Sequence, residues 1–284
     1  MKSKKLLSLV SLGLSLVLVT GCSMNEGKKS SAHDSKDKQE KMVRLTNDQL
    51  KSKENTMSVL WYQQSEEAKA LYLQGYQVAR QRLDTILGQE SEKPYSIVLD
   101  IDETVLDNSP YQAKNIKEGT SFTPDSWDVW VQKKSAKPVA GAKEFLTYAN
   151  EKGVQIYYVS DRTTKQVDPT MENLEKEGLP VQGKDHFLFY EEGMKSKESR
   201  RQKVLETTNL VMLFGDNLVD FAEFSKTSRD DRKALLEELH KEFGSKFIIF
   251  PNPMYGSWES SVYNGKKLDS KEQLDTREKA LEAF

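Results

Sequence analysis

Cysteine is almost missing from this chain: Cys22 stands alone among 284 residues. A fold stapled by intramolecular disulfides is excluded, so packing alone must hold the core. Histidine is nearly as scarce, and His33, His186 and His240 all lie outside any Arg-His-Gly context. A histidine-phosphatase mechanism therefore has no residues to run on. An excess of either charge is also lacking, since 42 Lys and Arg face 44 Asp and Glu. That balance excludes a general polyanion-binding surface, and no nucleic-acid polymer is expected as a partner. No internal repeat is evident. The one long apolar run, residues 6–19, is too short to span a membrane comfortably as a permanent helix.

That run follows a basic start, Met1-Lys-Ser-Lys-Lys5, and leads into Val19-Thr20-Gly21-Cys22. The pattern is that of an export signal, and its last four residues resemble a bacterial lipobox. Residues 1–22 are thus expected to be a lipoprotein signal peptide with Cys22 as the lipidated residue. Two or three acyl chains on one residue anchor stably, which puts the protein outside the cytoplasm on the bacterial cell membrane. Residues 23–45 are rich in Lys, Ser, Asp, Glu and Gln with almost nothing to bury, and read as a polar tether. The remainder, 46–284, is long enough for one large domain or a core with a smaller cap.

From 46 to 87 apolar residues recur at three-or-four spacing (Ala68, Leu71, Tyr72, Ala79, Leu83, Ile86) with Gly88 near the stop. Two helices are expected there, within a helical segment 46–93. Beyond Pro94, short apolar runs at 96–99, 154–159, 186–189, 210–214 and 247–250 alternate with amphipathic segments. Such alternation implies an α/β fold with a parallel sheet and helical crossovers. Ligands of open α/β sheets bind beyond the carboxyl ends of the strands. The polar residues following each run therefore belong together: Asp100 and Asp102, Ser160 and Arg162, Asp216 and Asp220.

Asp100 and Asp102 stand two apart at the end of an apolar run, so they point to the same side. A carboxylate can attack phosphorus directly, which splits one hard displacement into two easier ones, and Asp100 suits that role. Asp102 can protonate the departing alkoxide and later take a proton from the attacking water. The second acid pair, in Gly215-Asp-Asn-Leu-Val-Asp-Phe221, follows another buried run. Asp216 can reach a metal ion there, and Asp220 can bind the ion or hold its waters. Four acids beside a dianionic phosphate call for a hard divalent cation, Mg²⁺.

These motifs are similar to those of the haloacid dehalogenase superfamily. The longer strings Leu99-Asp-Ile-Asp-Glu-Thr-Val-Leu-Asp-Asn-Ser-Pro-Tyr111, Gly215-Asp-Asn-Leu-Val-Asp-Phe221 and Pro251-Asn-Pro-Met-Tyr-Gly-Ser-Trp-Glu259 resemble the bacterial class C acid phosphatases, surface lipoprotein 5′-nucleotidases. The resemblance implies a Rossmannoid parallel sheet with helices on both faces and a smaller, mainly helical cap, here an insert at about 105–137. It implies Asp100 as nucleophile and Mg²⁺ ligand, and Asp102 as acid/base that ligates through its backbone carbonyl. It also implies Asp216 as a carboxylate ligand, Asp220 in support, Ser160 as donor to a phosphoryl oxygen, and a lysine that neutralises developing charge. Lys197 is the choice for that lysine, with Lys195 as its rival. Arg162 reads equally as a phosphate contact or a surface ion pair.

Trp127 and Trp130 in the insert, and Tyr255 and Trp258 after the fifth run, can border the mouth of such a site. Base stacking on aromatics tolerates any base, and the resemblance implies a nucleobase held between Trp127 and Tyr255. For Trp130 and Trp258, packing is the expected role. The expected partners are small phosphate esters, especially nucleoside monophosphates, and the membrane; homodimer formation is left open. Dehalogenation would need neither Asp102 nor a cation. A surface lipoprotein that only binds a nutrient or host factor would leave four placed aspartates unexplained.

Overall fold

The computed structural model describes residues 42–284, so the expected signal peptide, Cys22 and most of the tether lie outside the described residues. The chain first forms α1 (Asn47–Glu54), α2 (Thr56–Gln64) and α3 (Glu66–Leu87). These are three helices where the periodicity predicted two, because Asn55 and Ser65 interrupt the run. Ser65 is extended and its hydroxyl accepts the Ala68 N–H, which starts a fresh N-terminus. Gly88 caps α3 at the expected stop.

Next come β1 (Tyr95–Leu99), β2 (Leu106–Asp107), α4 (Ser109–Glu118), α5 (Pro124–Gln132) and β3 (Lys137–Pro138). The rest alternates: α6 (Ala142–Glu151), β4 (Gln155–Thr163), α7 (Val167–Lys176), β5 (Phe187–Tyr190), α8 (Glu198–Thr207), β6 (Asn209–Gly215), α9 (Arg229–Leu239) and β7 (Phe247–Ile249). Two helices, α10 (Ser257–Val262) and α11 (Ser270–Ala280), end the chain. All five expected runs are strands of one sheet in the order β5-β4-β1-β6-β7, with every pairing parallel. β2 and β3 make a separate antiparallel ribbon at the base of the insert that carries α4 and α5.

Strand alternation sorts the core onto two faces. Ile97 and Leu99 of β1 join Ile156, Tyr158, Met212 and Phe214 in one cluster, packed with Leu83 of α3 and Leu146 of α6. Val98, from the same strand, joins Val159, Leu213 and Val204 of α8 in the other. Helices therefore cover both faces, as a fully parallel sheet requires. Gly75 lets α3 lie close to the sheet, since a Cβ there would meet Phe250 Cε1 at 2.5 Å. The chain leaves β1 toward β4 and β5, then crosses to β6 on the other side. That reversal opens a crevice at the carboxyl end of β1.

The loop after β1 is held from below by α3. Tyr72 donates its hydroxyl to the Glu103 carbonyl and Tyr76 donates to the Thr104 carbonyl at 2.7 Å. Within the loop, the Ile101 carbonyl accepts the N–H groups of Val105 and Leu106, both at 2.9 Å. Glu103 occupies the left-handed region at φ 55, a conformation that costs energy for a residue with a Cβ. Its buried Oε1 accepts the Asn108 N–H at 2.7 Å, which ties the loop to the start of the insert.

Candidate active site

Asp100 is the first residue past β1. Its N–H donates to the Phe214 carbonyl at 3.0 Å, so β6 fixes the point where the chain turns. Asp100 is 7% exposed, and its carboxylate accepts from Lys197 Nζ. The same ammonium donates to Asp220 Oδ1 at 2.7 Å, while Asp220 Oδ2 accepts the Asn217 N–H at 2.9 Å. Asp216 Oδ2 accepts from Asn252 Nδ2 at 2.8 Å, and Oδ1 faces Thr104 Oγ1 at 3.4 Å. Gly215 makes room for this: a Cβ there would fall 2.3 Å from the Cβ and Oδ2 of Asp220.

One oxygen each from Asp100, Asp216 and Asp220 lies within 4.8 Å of the other two. Three carboxylates share this buried space with one ammonium, leaving two negative charges over. Burial, reinforced by Asp220, Asp216 and Asp102 against the pull of Lys197, holds the Asp100 carboxyl well above the usual carboxylate range. Burial and the Asp220 charge push Asp216 up to about 7. At Lys197 burial disfavours the charge, but Asp100, Asp220 and Asp161 outweigh it and keep the group protonated. An all-oxygen donor set with two uncompensated charges fits a hard divalent cation such as Mg²⁺.

Asp102 is turned differently. Its Oδ1 accepts from Asn108 Nδ2 at 2.8 Å and from Arg162 Nη2 at 2.8 Å, within an ion pair whose arginine is buried. Above these acids lies an open groove of ≈ 1470 Å³ lined by Asp100, Asp102, Lys197, Asp216, Trp127 and Tyr255 among others. Trp127 packs edge-on against Tyr111 at 5.1 Å and near Phe122 at 6.3 Å.

The family model for the HAD superfamily, subfamily IIIB (acid phosphatase), matches residues 19–258. The chain belongs to that family. A solved structure of the class C acid phosphatase from Bacillus anthracis is 45% identical, covers 82% of this chain and 99% of its own, and superposes with a TM-score of 0.79. The crystal structure of the class C acid phosphatase from the same organism with tungstate bound gives 45% identity, 83% and 99% coverage and a TM-score of 0.80. The protein is accordingly an acid phosphatase, a phosphoric monoester hydrolase.

The phosphatase brings Asp100, Asp102, Asp216, Asp220, Lys197, Trp127 and Tyr255 to one groove. Lys195 is exposed, whereas Lys197 is buried against two aspartates. Ser160 departs from expectation. It is fully buried within β4, and its Oγ accepts the Arg162 N–H at 3.1 Å, while Asp161 and Arg162 line the groove beside it. Arg162 is neither a free phosphate contact nor a surface pair; it is committed to Asp102 in the interior. Trp130 packs against the core as expected and also donates its Nε1–H to Asn108 Oδ1 at 2.8 Å. Trp258 is 42% exposed at the groove rim, its Nε1–H on the Tyr255 carbonyl, so it is no core residue.

Sequence reasoning missed Asn108, Thr104, Asn217 and Asn252. The first two sit inside the motif string that follows Asp100, and Asn252 follows the fifth apolar run, so proximity to strand ends was the available signal. Among the described residues no helix is long and apolar enough to cross a membrane.

Proposed function

We propose that this acid phosphatase requires Mg²⁺, prefers nucleoside 5′-monophosphates and works from a lipid anchor at Cys22 on the outer face of the bacterial membrane. The observation that carries the catalytic part is the buried Asp100 carboxylate at the end of the central strand, grouped with Lys197, Asp216 and Asp220. Asp100 attacks phosphorus to form an aspartyl-phosphate while the bond to the leaving oxygen breaks. Asp102 gives its proton to that oxygen, then accepts one from the water that hydrolyses the intermediate. Lys197 opposes the charge that develops on the phosphoryl oxygens. Asp100 and Asp216, with the backbone carbonyl of Asp102, would hold the ion, and Asp220 would support them through Lys197 and Asn217. When bound, the ion supplies charge neutralisation that lets a dianionic ester approach the acids.

Trp127 and Tyr255 on the same groove support stacking of a base above the phosphate. The localisation rests on the Met1 to Cys22 pattern alone, and Cys22→Ala should move the protein from the membrane fraction to the medium. Phosphate release from 5′- and 3′-monophosphates and from p-nitrophenyl phosphate, with and without chelator, tests the rest. Chelation should silence every reaction and Mg²⁺ restore it. Full activity after exhaustive metal removal, or 3′-monophosphates cleaved as well as 5′, would overturn the corresponding part.

A further inference from the structure

Asp102 is held in an asymmetric way. Its Oδ1 takes Asn108 Nδ2 at 2.8 Å, Arg162 Nη2 at 2.8 Å and Arg162 Nε at 3.1 Å, while Oδ2 meets only Arg162 Nε, at 3.3 Å. Arg162 cannot wander, because it is buried and its Nη1 donates to Thr170 Oγ1 at 2.8 Å. Asn108 is itself fully enclosed and fully used. Its Nδ2 also donates to the Leu106 carbonyl at 3.3 Å, and its Oδ1 accepts Trp130 Nε1–H at 2.8 Å and Arg162 Nη2 at 3.4 Å. The Trp130 contact fixes which way the amide points, since a flipped amide would set NH₂ against the indole N–H. Trp130 lies on α5, the helix that also carries Trp127, whose ring stands 5.5 Å from the Arg162 guanidinium.

We propose that Asn108 and Trp130 are positioning residues for proton transfer: by pinning Oδ1 of Asp102 they leave Oδ2 as the oxygen that hands its proton to the leaving group. This rests on the reading of Asp102 as the general acid. In the step concerned, a bond forms from an Asp100 oxygen to phosphorus, the phosphorus–oxygen bond to the alcohol breaks, and the proton passes from Asp102 Oδ2 to the departing oxygen. A leaving group that is already a stable anion gains little from that proton. An alkoxide depends on it, so misplacing Asp102 must hurt alkyl esters selectively.

The test compares kcat/KM for glycerol phosphate and p-nitrophenyl phosphate in Asn108→Leu, Trp130→Phe and Asp102→Asn, together with each double variant on the Asp102→Asn background. Melting temperatures accompany every measurement. Asn108→Leu is expected to lose about tenfold or more on the alkyl ester beyond its loss on the aryl ester, and Trp130→Phe to shift the ratio in the same direction by less. On the Asp102→Asn background neither substitution should change the ratio further. If Asp102→Asn alters the alkyl/aryl ratio but Trp130→Phe and Asn108→Leu lower both substrates equally, the positioning role is wrong while Asp102 stays the acid. If Asp102→Asn itself leaves the ratio unchanged, the general-acid reading fails and this inference falls with it. Should Asn108→Leu not fold, Trp130→Phe, which keeps an aromatic ring while removing the indole N–H along with part of the ring's bulk, decides alone.

Discussion

Replacing Lys197 by Met keeps much of the side chain's length and removes its charge. In the native protein Lys197 is 5% exposed and its ammonium donates to both Asp100 and Asp220. Deleting one partner of a buried ion pair leaves an uncompensated charge, at a cost of about 3–5 kcal/mol. A domain of this size loses roughly 2–4 °C in Tm per kcal/mol, so a fall on the order of 10 °C is expected at neutral pH without added metal. Burial and the neighbouring acids already hold the Asp100 carboxyl above its unfolded value against the pull of Lys197; without Lys197 it sits higher still, so the folded state binds a proton that the unfolded state does not. Stability of the variant must then rise as pH falls toward 5, and the gap to wild type must narrow. Thermal melts in chelator between pH 5 and 7.5 measure this directly. A loss of under about 1 kcal/mol at pH 7, or a loss that does not change with pH, would show that Lys197 is not the counter-charge of this cluster. Phosphatase activity should drop by ~10²-fold or more, the range seen when one charge-stabilising donor is removed.

Gly215→Ala should displace Asp220, whose Cβ and Oδ2 lie 2.3 Å from the added methyl; overpacking costs about 1–3 kcal/mol, and wild-type melting and kcat/KM would refute the close fit. Asp216, raised to about 7 by burial and Asp220, binds its proton more tightly folded than unfolded. It therefore contributes stability at low pH that is lost as pH rises from about 4 to 7. In chelator, Asp216→Asn should remove that part of the pH dependence and melt higher than wild type at pH 7.5; identical melting profiles would contradict the shift. Trp127→Ala and Tyr255→Ala should each cost about 1–3 kcal/mol in kcat/KM for nucleoside 5′-monophosphates and less for p-nitrophenyl phosphate. Wild-type turnover of adenosine 5′-monophosphate by both variants would assign these rings to packing.

The sequence by itself determined the parallel sheet and the acids at its carboxyl end. Both follow from local pattern: runs such as 96–99 and 210–214 are too short for helices and alternate with amphipathic segments, which makes them interior strands, and a polar residue directly after such a run emerges at the crevice. Asp100 and Asp216 were legible for that reason. What only the tertiary structure decided are matters of side-chain direction and of contacts between distant segments. Lys195 and Lys197 differ by two positions and by nothing in composition, yet one points to solvent and the other into the acids, because Lys197 sits where α8 begins. Arg162 follows Ser160 by two positions along β4, but its partner Asp102 is 60 residues away, and no periodicity encodes that pairing. Ser160 is withdrawn by its own local turn to the Arg162 N–H. Trp130 looked like packing and does pack, but whether its N–H finds a partner depended on the fold carrying α5 over Asn108. Local sequence sets which elements form and where they stop; the direction in which a polar group finally points is set by whichever partner the assembled fold brings within 3 Å of it.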